Sequence, residues 1–234
     1  MFFFKHIKIR SYEMGLYFRG GEFKGLLGPG THRLFDPLLR VRVEVVSQRD
    51  PWLAHEQLDM IVRSGALVKR AEVVDLKDHQ RAIVWIDGRF SRILSPGLYA
   101  YWTGQREVRV DVVDVRSVRF EHDDLKVIAR WPQAERLLDI CGVQRHHLGV
   151  LFQDGRYVET LEPGLYAFWR GAADAVVVEV DTRESMIDVG GQDIMTADKV
   201  TLRLNAVVGY RIVDARKAVT AAHDARQALY REAQ

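Results

Sequence analysis

Cysteine is almost absent from the sequence, in which Cys141 stands alone. A single thiol excludes a disulfide within the chain and excludes a cluster of thiolate ligands around a metal ion. Nothing in the flanking Ile140 and Gly142 marks this thiol as an activated nucleophile, so we interpret it as a small buried residue. This cysteine usage is compatible with a reducing compartment.

Long hydrophobic runs are also missing. No stretch approaches the roughly 18 to 20 consecutive apolar residues that a membrane-spanning helix requires, so we expect no transmembrane helix. The apolar part of residues 1–10 is shorter than a signal-peptide core of about 7 to 15 apolar residues, and no small-residue cleavage site follows it. We therefore expect no signal peptide and expect these residues to remain on the mature protein.

An excess of either charge is the third absence. Lys and Arg together number 34 against 32 for Asp and Glu, and the two signs are interspersed along the chain. A basic patch of the kind that binds nucleic acid is therefore not expected, and we predict no nucleic-acid partner. With 47% hydrophobic and 28% charged residues over 234 positions, the chain has the composition of a globular protein that can bury a core.

The sequence does contain an internal repeat, and its period is 67 residues. Each copy reads as a strand ending in an aromatic residue, a turn containing glycine, a second strand beginning with an aromatic residue, and a Pro-Gly turn. Between residues 82–102 and 149–169, 10 of 21 positions are identical. The turns of the three copies are Gly20-Gly21 with Pro29-Gly30, Asp87-Gly88 with Pro96-Gly97, and Asp154-Gly155 with Pro163-Gly164.

A third strand follows in each copy, where valine alternates with other residues. The valines of the first two copies include Val43 and Val110, but in the third copy Val176 and Val178 carry the pattern, one residue out of step. We infer one inserted residue between Trp169 and Val176, because a slip of one residue turns a strand's side chains to the other face. Each copy is thus predicted to be a three-stranded antiparallel unit with one apolar face, too small to be stable alone.

These observations predict an α+β fold that is rich in strands. We divide the chain into three domains: residues 1–70 form the first β repeat, residues 71–141 the second, and residues 142–234 the third repeat with an added strand and helix. The second repeat is predicted to include a short helix, with Pro132 at its start or at a kink.

The last part of the chain changes from strand to helix. A period of two runs through residues 201–212 and predicts one long strand. From Asp214, a predicted N-cap, apolar residues recur three or four apart, which indicates a helix. Its apolar stripe is mostly alanine, which allows close approach of a partner, and we predict that it mediates oligomerisation. The residues assigned to that contact are Ala218, Val219, Ala222, Ala225 and Leu229.

Motifs for catalysis or cofactor binding are not found in the sequence. The Gly-x-Ser-x-Gly elbow and the Gly-Lys-Ser/Thr phosphate loop are both absent. Four of the eight histidines are placed by the repeat itself, as the pairs His55/His122 and His79/His146, which argues against a metal site that needs its ligands once. We therefore predict no catalytic, cofactor or metal site and no enzymatic activity.

The three consecutive phenylalanines near the start of the sequence have two interpretations. In one, they belong to an edge strand whose rings cover the first repeat. In the other, they dip into a membrane while the lysines that follow face anionic headgroups. Three partly inserted rings contribute on the order of a few kcal/mol, a weak anchor that an oligomer multiplies by avidity. The residues assigned to membrane contact are Phe2, Phe3, Phe4, Lys5 and Lys8.

Three segments of the last part of the chain carry a resemblance to a known family: VDTRE at 180–184, IMTADKVT at 194–201 and YRIVDARKAV at 210–219. They resemble the band 7 or SPFH domain family, the stomatins and prohibitins, and most closely the bacterial slipin-type stomatins. Stomatins usually begin with a long hydrophobic segment that is not seen here, and the long C-terminal helix of the family stops at Gln234.

The resemblance implies a non-enzymatic scaffold without a cofactor. It implies homo-oligomers that attach peripherally to the cytoplasmic side of a membrane, organise membrane proteins and accompany a membrane-bound protease. An alternative stays open, because tandem β repeats that lead into a band 7-like domain also resemble the major vault protein. That likeness implies a soluble, vault-like cage or shell, and binding to a bilayer distinguishes the two.

Overall fold

The computed structural model describes residues 4–221 and 225–233, without the side chains at 192–194, 204, 225, 226 and 233. Strands dominate it and the helices are short, which confirms the predicted strand-rich α+β class. The chain forms two compact units, residues 1–115 and residues 116–234.

The first unit consists of two copies of one five-strand pattern. Copy 1 contains β1 (Phe4–Ile9), β2 (Glu13–Arg19), β3 (Glu22–Leu27), β4 (Gly30–Phe35) and β5 (Val41–Ser47), and the short helix α1 (Leu58–Arg63) follows it. Copy 2 contains β6 (Ala71–Leu76), β7 (Gln80–Ile86), β8 (Arg89–Leu94), β9 (Gly97–Trp102) and β10 (Val108–Asp114).

The second unit consists of a connector, a third copy and an extension. The connector holds α2 (Leu125–Ile128) and a short 3-10 helix (Ala134–Arg136). Copy 3 contains β11 (Leu138–Val143), β12 (His147–Gln153), β13 (Arg156–Leu161), β14 (Gly164–Trp169) and β15 (Ala175–Asp181). The extension contains β16 (Ser185–Met195), β17 (Thr201–Tyr210), α3 (Ala215–Ala221) and α4 (Ala225–Ala233).

Every copy builds two small antiparallel sheets. The second strand is the centre of a three-stranded sheet between the third and fifth strands, and the first and fourth strands form a separate two-stranded sheet. A bulge interrupts each hairpin just before an aromatic residue that stands one position before the end of its first strand. These aromatic residues are Phe18, Trp85 and Phe152.

The predicted three-stranded unit corresponds to three of these five strands. The sequence pattern did not predict the first and fourth strands of each copy. In β9 and β14 the second half of the strand is buried on both faces, so Leu-Tyr-Ala-Tyr-Trp reads as a continuous apolar run without a period of two. The predicted domain boundary after residue 141 falls inside β11, which pairs with β14.

The predicted insertion between Trp169 and Val176 is wrong. The strands β5, β10 and β15 begin 67 residues apart, as the other strands do. Val177 packs inward against the core of copy 3, whereas Val176 and Val178 are exposed. Val180 is buried on the opposite face of β15, where α3 covers it, so both faces carry buried valines and alternation over a few residues assigned the wrong one to the core.

In the first unit, the connector after copy 1 packs on the two-stranded sheet of copy 2. It buries Leu53 and Ile61 between Phe18 of copy 1 and Trp102 of copy 2. Two main-chain hydrogen bonds fix this contact: the Leu53 amide donates to the Ala100 carbonyl at 2.9 Å, and the Trp102 amide donates to the Pro51 carbonyl at 2.7 Å. The connector therefore adds an extended segment beside β9.

The second unit repeats this arrangement 67 residues later. The Phe120 amide donates to the Ala167 carbonyl at 2.8 Å, and the Trp169 amide donates to the Val118 carbonyl at 2.8 Å. The Phe120 and Trp169 rings pack edge to face with centroids 4.9 Å apart. The predicted helix near Pro132 is not continuous, since α2 ends before this proline and the 3-10 helix begins after it.

The extension places a helix on the outer face of the third copy. Val150, Val180 and Ala215 form a buried cluster, so α3 covers the face of β12 and β15 that points away from the two-stranded sheet of copy 3. The Asp214 carboxylate accepts a hydrogen bond from the Lys217 amide at 2.9 Å, which confirms the predicted N-cap.

Candidate functional site

Two aromatic side chains lie exposed at one end of the β1–β4 sheet. Phe4 and Phe35 are direct partners in this antiparallel pair, and their ring centroids are 5.4 Å apart. Both side chains are accessible, with 50% of Phe4 and 56% of Phe35 exposed. The Arg33 guanidinium carbon lies 5.2 Å from the centroid of the Phe4 ring, so a cation stands directly beside the pair.

Basic side chains follow along the same two strands. Lys8 is exposed opposite Thr31, and His6 is exposed opposite Arg33. Lys5 also lies exposed, and its Nζ donates a hydrogen bond to the Val41 carbonyl at 3.3 Å. The Phe4–Phe35 end of this sheet therefore combines apolar rings with cations. Two of the five residues assigned to membrane contact, Phe4 and Lys5, lie there, whereas Lys8 lies toward the other end beside the Ile9–Gly30 pair. Phe2 and Phe3 lie outside the described residues.

The residues assigned to oligomerisation lie on α3 and α4 or between them. Ala218 and Leu229 are half-buried, and Val219 packs against the cluster that holds α3 on copy 3. Ala222 and the side chain of Ala225 lie outside what the structure describes. The assignment of this stripe to a partner stays a prediction, although Val219 already makes contacts within its own chain.

His55 serves the core of the first unit. Its Nδ1 accepts a hydrogen bond from the Gln57 amide at 3.0 Å, so the proton resides on Nε2, which donates to the Glu44 carboxylate at 3.0 Å. The imidazole also stacks on Phe18 with ring centroids 5.4 Å apart. Each polar atom of this buried ring thus has a partner within the fold. Among residues 4–221 and 225–233, no group of three His, Cys, Asp or Glu side chains is arranged to hold a metal ion.

Cys141 is half-buried on β11, at the edge of the copy 3 core. Burial raises the pKa of its thiol, and the nearby carboxylates of Glu179 and Asp139 raise it further. A thiol whose pKa is raised is a poor nucleophile at neutral pH because little thiolate forms. The interpretation of Cys141 as a packing residue therefore agrees with its surroundings.

Asp181 makes a tight ion pair at the end of β15. The Arg183 guanidinium donates to Oδ2 at 2.6 Å and to Oδ1 at 3.0 Å, and the Arg183 amide donates to Oδ1 at 2.9 Å. These hydrogen bonds hold the pKa of Asp181 well below its usual range. The first of the three family segments thus begins with a local turn fixed by its own aspartate and arginine.

Sequence reasoning missed Phe35 and Arg33, which complete the exposed end of the β1–β4 sheet. The signal lies in the repeat, because Phe35 is equivalent to Trp102 and Trp169 at the spacing of 67 residues. Those two tryptophans are almost fully buried, with 1% and 4% exposed, while Phe35 is not. Comparison of equivalent positions across the copies identifies Phe35 as the exception.

Residues 142–234 match the SPFH domain / Band 7 family. Within the chain, 92 residues are 41% identical to an uncharacterized protein of Archaeoglobus fulgidus, covering 39% of this chain and 36% of that protein. A stomatin homolog of Pyrococcus horikoshii is 41% identical over 78 residues, 33% of this chain and 29% of its own length. An uncharacterized protein of Methanocaldococcus jannaschii is 32% identical over 92 residues, 39% of this chain and 45% of its own length.

The chain therefore spans less than half the length of each of these relatives. No solved structure matches it. In the part of the chain that the structure describes, no helix is both long and apolar enough to cross a bilayer.

Proposed function

We propose that the chain, whose residues 142–234 match the SPFH domain / Band 7 family, is a non-enzymatic, oligomerising scaffold that associates peripherally with a membrane. The match to a stomatin homolog supports a scaffold of the stomatin type. The single observation that carries the membrane contact is the exposed pair Phe4–Phe35 with cations beside it.

The combination of rings and cations suits the interface of an anionic bilayer. Aromatic side chains insert at the level of the headgroups, and lysine and arginine near the surface are attracted to anionic lipids. Each contribution is small for one protomer, but linked protomers bind at high effective concentration. An oligomer with one such end per protomer therefore binds a membrane far more strongly than a monomer does. Within this proposal, the partners are further copies of the chain, a membrane surface on its cytoplasmic side, and a membrane-bound protease.

Changing Phe2, Phe3 and Phe4 to serine is expected to remove most of the binding to anionic vesicles. Loss of three partly inserted rings removes on the order of a few kcal/mol of apolar transfer free energy. The measurement is flotation of the parent and variant chains with phosphatidylserine-containing liposomes at physiological salt. The control changes Val112, Val158 and Val176, three exposed valines on strands β10, β13 and β15, to serine.

Equal flotation of the parent and the triple phenylalanine variant would contradict the assignment of membrane contact to these residues. Absence of flotation by the parent itself, together with closed particles in electron micrographs, would favour the vault-like shell instead.

Assembly through the alanine stripe is tested by changing Ala222 and Ala225 to glutamate. Two like charges placed in a close helix contact repel each other and lose hydration, so we expect the oligomer to dissociate. The mass in solution is measured by light scattering over a range of protein concentrations. The matched control changes the exposed alanines Ala221 and Ala228 to glutamate. An unchanged mass in the first variant, or an equal loss in the control, contradicts the stripe as the interface.

A further inference from the structure

The loop between the fourth and fifth strands differs in one copy only. In copy 1 it reads Asp-Pro-Leu-Leu-Arg at 36–40, in copy 2 Thr-Gly-Gln-Arg-Glu at 103–107, and in copy 3 Arg-Gly-Ala-Ala-Asp at 170–174. The equivalent of Leu38 and Leu39 is thus a polar pair in copy 2 and two alanines in copy 3. Large apolar residues stand in this loop in copy 1 alone.

Leu38 and Leu39 are the most exposed apolar side chains of copy 1, at 67% and 86%. They lie in the loop that leaves β4 after Phe35, separated from it by Asp36 and Pro37, and so lie near the same end of the β1–β4 sheet as the Phe4–Phe35 pair. Leu39 also has a φ of 53°, a left-handed conformation that is unfavourable for a leucine. Exposure of two leucines, of which Leu39 has a costly backbone conformation, indicates a functional surface.

The loop is nevertheless held firmly. The buried Asp36 carboxylate accepts hydrogen bonds from the Arg40 amide at 2.7 Å and from the Val41 amide at 2.9 Å. The Gly20 amide donates to the Arg40 carbonyl at 2.9 Å, which ties the loop to the β2–β3 hairpin. The leucines therefore project from a fixed support, which reduces the entropy lost when they bind.

Another repeat cannot cover this end as the connectors cover copies 2 and 3. In those copies the outer face of the two-stranded sheet carries Ala100 and Ala167, both fully buried under an apolar connector. Arg33 occupies the equivalent position in copy 1 and is exposed. An apolar connector packed there would bury the Arg33 charge with only an aromatic ring beside it, which is strongly unfavourable. The occupant must therefore accept apolar side chains and cations together.

The charge around the apolar residues is positive. Lys5, Arg33 and Arg40 are exposed on this side, and Arg19 is exposed at the neighbouring end of β2. The acidic groups nearby are already engaged, since Asp36 binds two amides and Glu22 forms an ion pair with Lys24 at 2.6 Å. Apolar tips surrounded by unneutralised cations complement an anionic lipid surface.

We propose that the loop at 36–40 inserts Leu38 and Leu39 into the surface of an anionic bilayer, beside Phe4 and Phe35, while Lys5, Arg33 and Arg40 contact lipid headgroups. This inference rests on the proposed membrane association and specifies its contact. It assigns the anchor to a structured loop of copy 1 in addition to the phenylalanines at the start of the chain.

Flotation of a variant with Leu38→Ser and Leu39→Ser tests the proposal. Loss of two inserted leucines is expected to reduce the partition coefficient on phosphatidylserine-containing vesicles at least about tenfold. The matched control is Ala172→Ser with Ala173→Ser, at the equivalent positions of copy 3, and it is expected to bind like the parent. Vesicles of phosphatidylcholine alone are expected to bind the parent weakly, because the headgroups then carry no net charge.

Depth of insertion gives a second readout that does not depend on affinity. In a chain with Cys141→Ser, an environment-sensitive fluorophore attached through Leu39→Cys is expected to shift to the blue on vesicles and to be quenched by brominated lipid chains. The same fluorophore attached through Ala173→Cys is expected to show neither change.

The outcomes separate this inference from the proposed function. If the parent floats and the Leu38/Leu39 variant floats equally well without quenching at position 39, the loop is not the anchor and membrane association stands. If the parent does not bind anionic vesicles, both proposals are overturned. If the leucine variant instead loses mass in light scattering while the parent ignores vesicles, the surface belongs to a second copy of the chain.

Discussion

Replacing Gly149 by alanine is expected to lower the free energy of unfolding of the second unit by about 1–3 kcal/mol. A Cβ atom at this position would lie 2.8 Å from Val143 Cγ2, 2.9 Å from Val177 Cγ1 and 3.3 Å from Leu161 Cβ. All three distances are shorter than ordinary van der Waals contact and two are below 3.0 Å, and the β-branched valine side chains have few alternative rotamers. The measurement is the midpoint of urea unfolding at an unchanged slope.

The matched control for this substitution is Gly142→Ala on the neighbouring strand β11. A Cβ atom at Gly142 would meet no atom within 4 Å, so this variant reports only the intrinsic effect of alanine in a strand. Copy 2 already carries Ala82 at the position equivalent to Gly149, fully buried, which shows that the fold itself tolerates alanine when the neighbours differ. Equal midpoints for Gly149→Ala and Gly142→Ala would show that Val143 and Val177 move aside at no cost.

Replacing Tyr101 by phenylalanine is expected to remove a loss of stability at alkaline pH. The Tyr101 hydroxyl is buried and finds no hydrogen-bond partner among the described residues, and burial raises its pKa to about 12. Below about pH 10 both folded and unfolded chains keep the proton. Between about pH 10 and about 12 only the folded chain keeps it, so stability falls as the pH rises, by on the order of 2 kcal/mol.

At neutral pH the same variant is expected to be as stable as the parent or more stable by up to about 1 kcal/mol, because an unsatisfied hydroxyl is removed. Copy 3 supports this expectation, since Phe168 occupies the equivalent position and is buried. The control is Tyr166→Phe, which removes a hydroxyl that donates to the Glu162 carbonyl at 2.8 Å. Urea unfolding at pH 7 and pH 11 measures both. A large loss at pH 7 for Tyr101→Phe would mean that this hydroxyl makes a hydrogen bond in solution.

The hairpins of each copy could be predicted because their signal is local. Asp87 and Gly88 both have positive φ, 50° and 71°, as do Asp154 and Gly155, at 48° and 74°. A type I′ turn requires this conformation at both central residues, and few dipeptides other than Asn-Gly and Asp-Gly adopt it readily. The N-cap at Asp214 could be predicted for the same reason, since a cap depends on its own turn.

The two-stranded sheets could not be predicted because their pairing depends on distant contacts. Trp102 on β9 is buried by the connector around Leu53 and Ile61, so its strand lacks the polar face that alternation requires. The misplaced face of β15 has a related cause. Val177 packs into the core of copy 3 and Val180 packs under α3 on the opposite face, so both faces of this strand are apolar and a period of two cannot distinguish them.

Only part of the candidate site could be predicted from the sequence. The run from Phe2 to Lys5 stands out by composition, but Phe35, Leu38 and Leu39 look like ordinary core residues until their exposure is known. The β1–β4 register places Phe35 opposite Phe4, although the two residues are far apart along the chain. Phe4 and Phe35 come together only because β1 pairs with β4. The local sequence pattern does not indicate that pairing.

Strand pairing within the copies also bears on how the number of repeats can change. Each ladder of copies 1 to 3 joins strands of the same copy, so none is divided by a cut between Arg70 and Ala71 or between Leu137 and Leu138. Connector contacts cross these points, and their partners Ala100 and Trp102 are replaced by Ala167 and Trp169 in the next copy. Duplication or deletion of a whole 67-residue cassette therefore preserves every ladder, so unequal recombination can lengthen or shorten this array while each sheet remains complete.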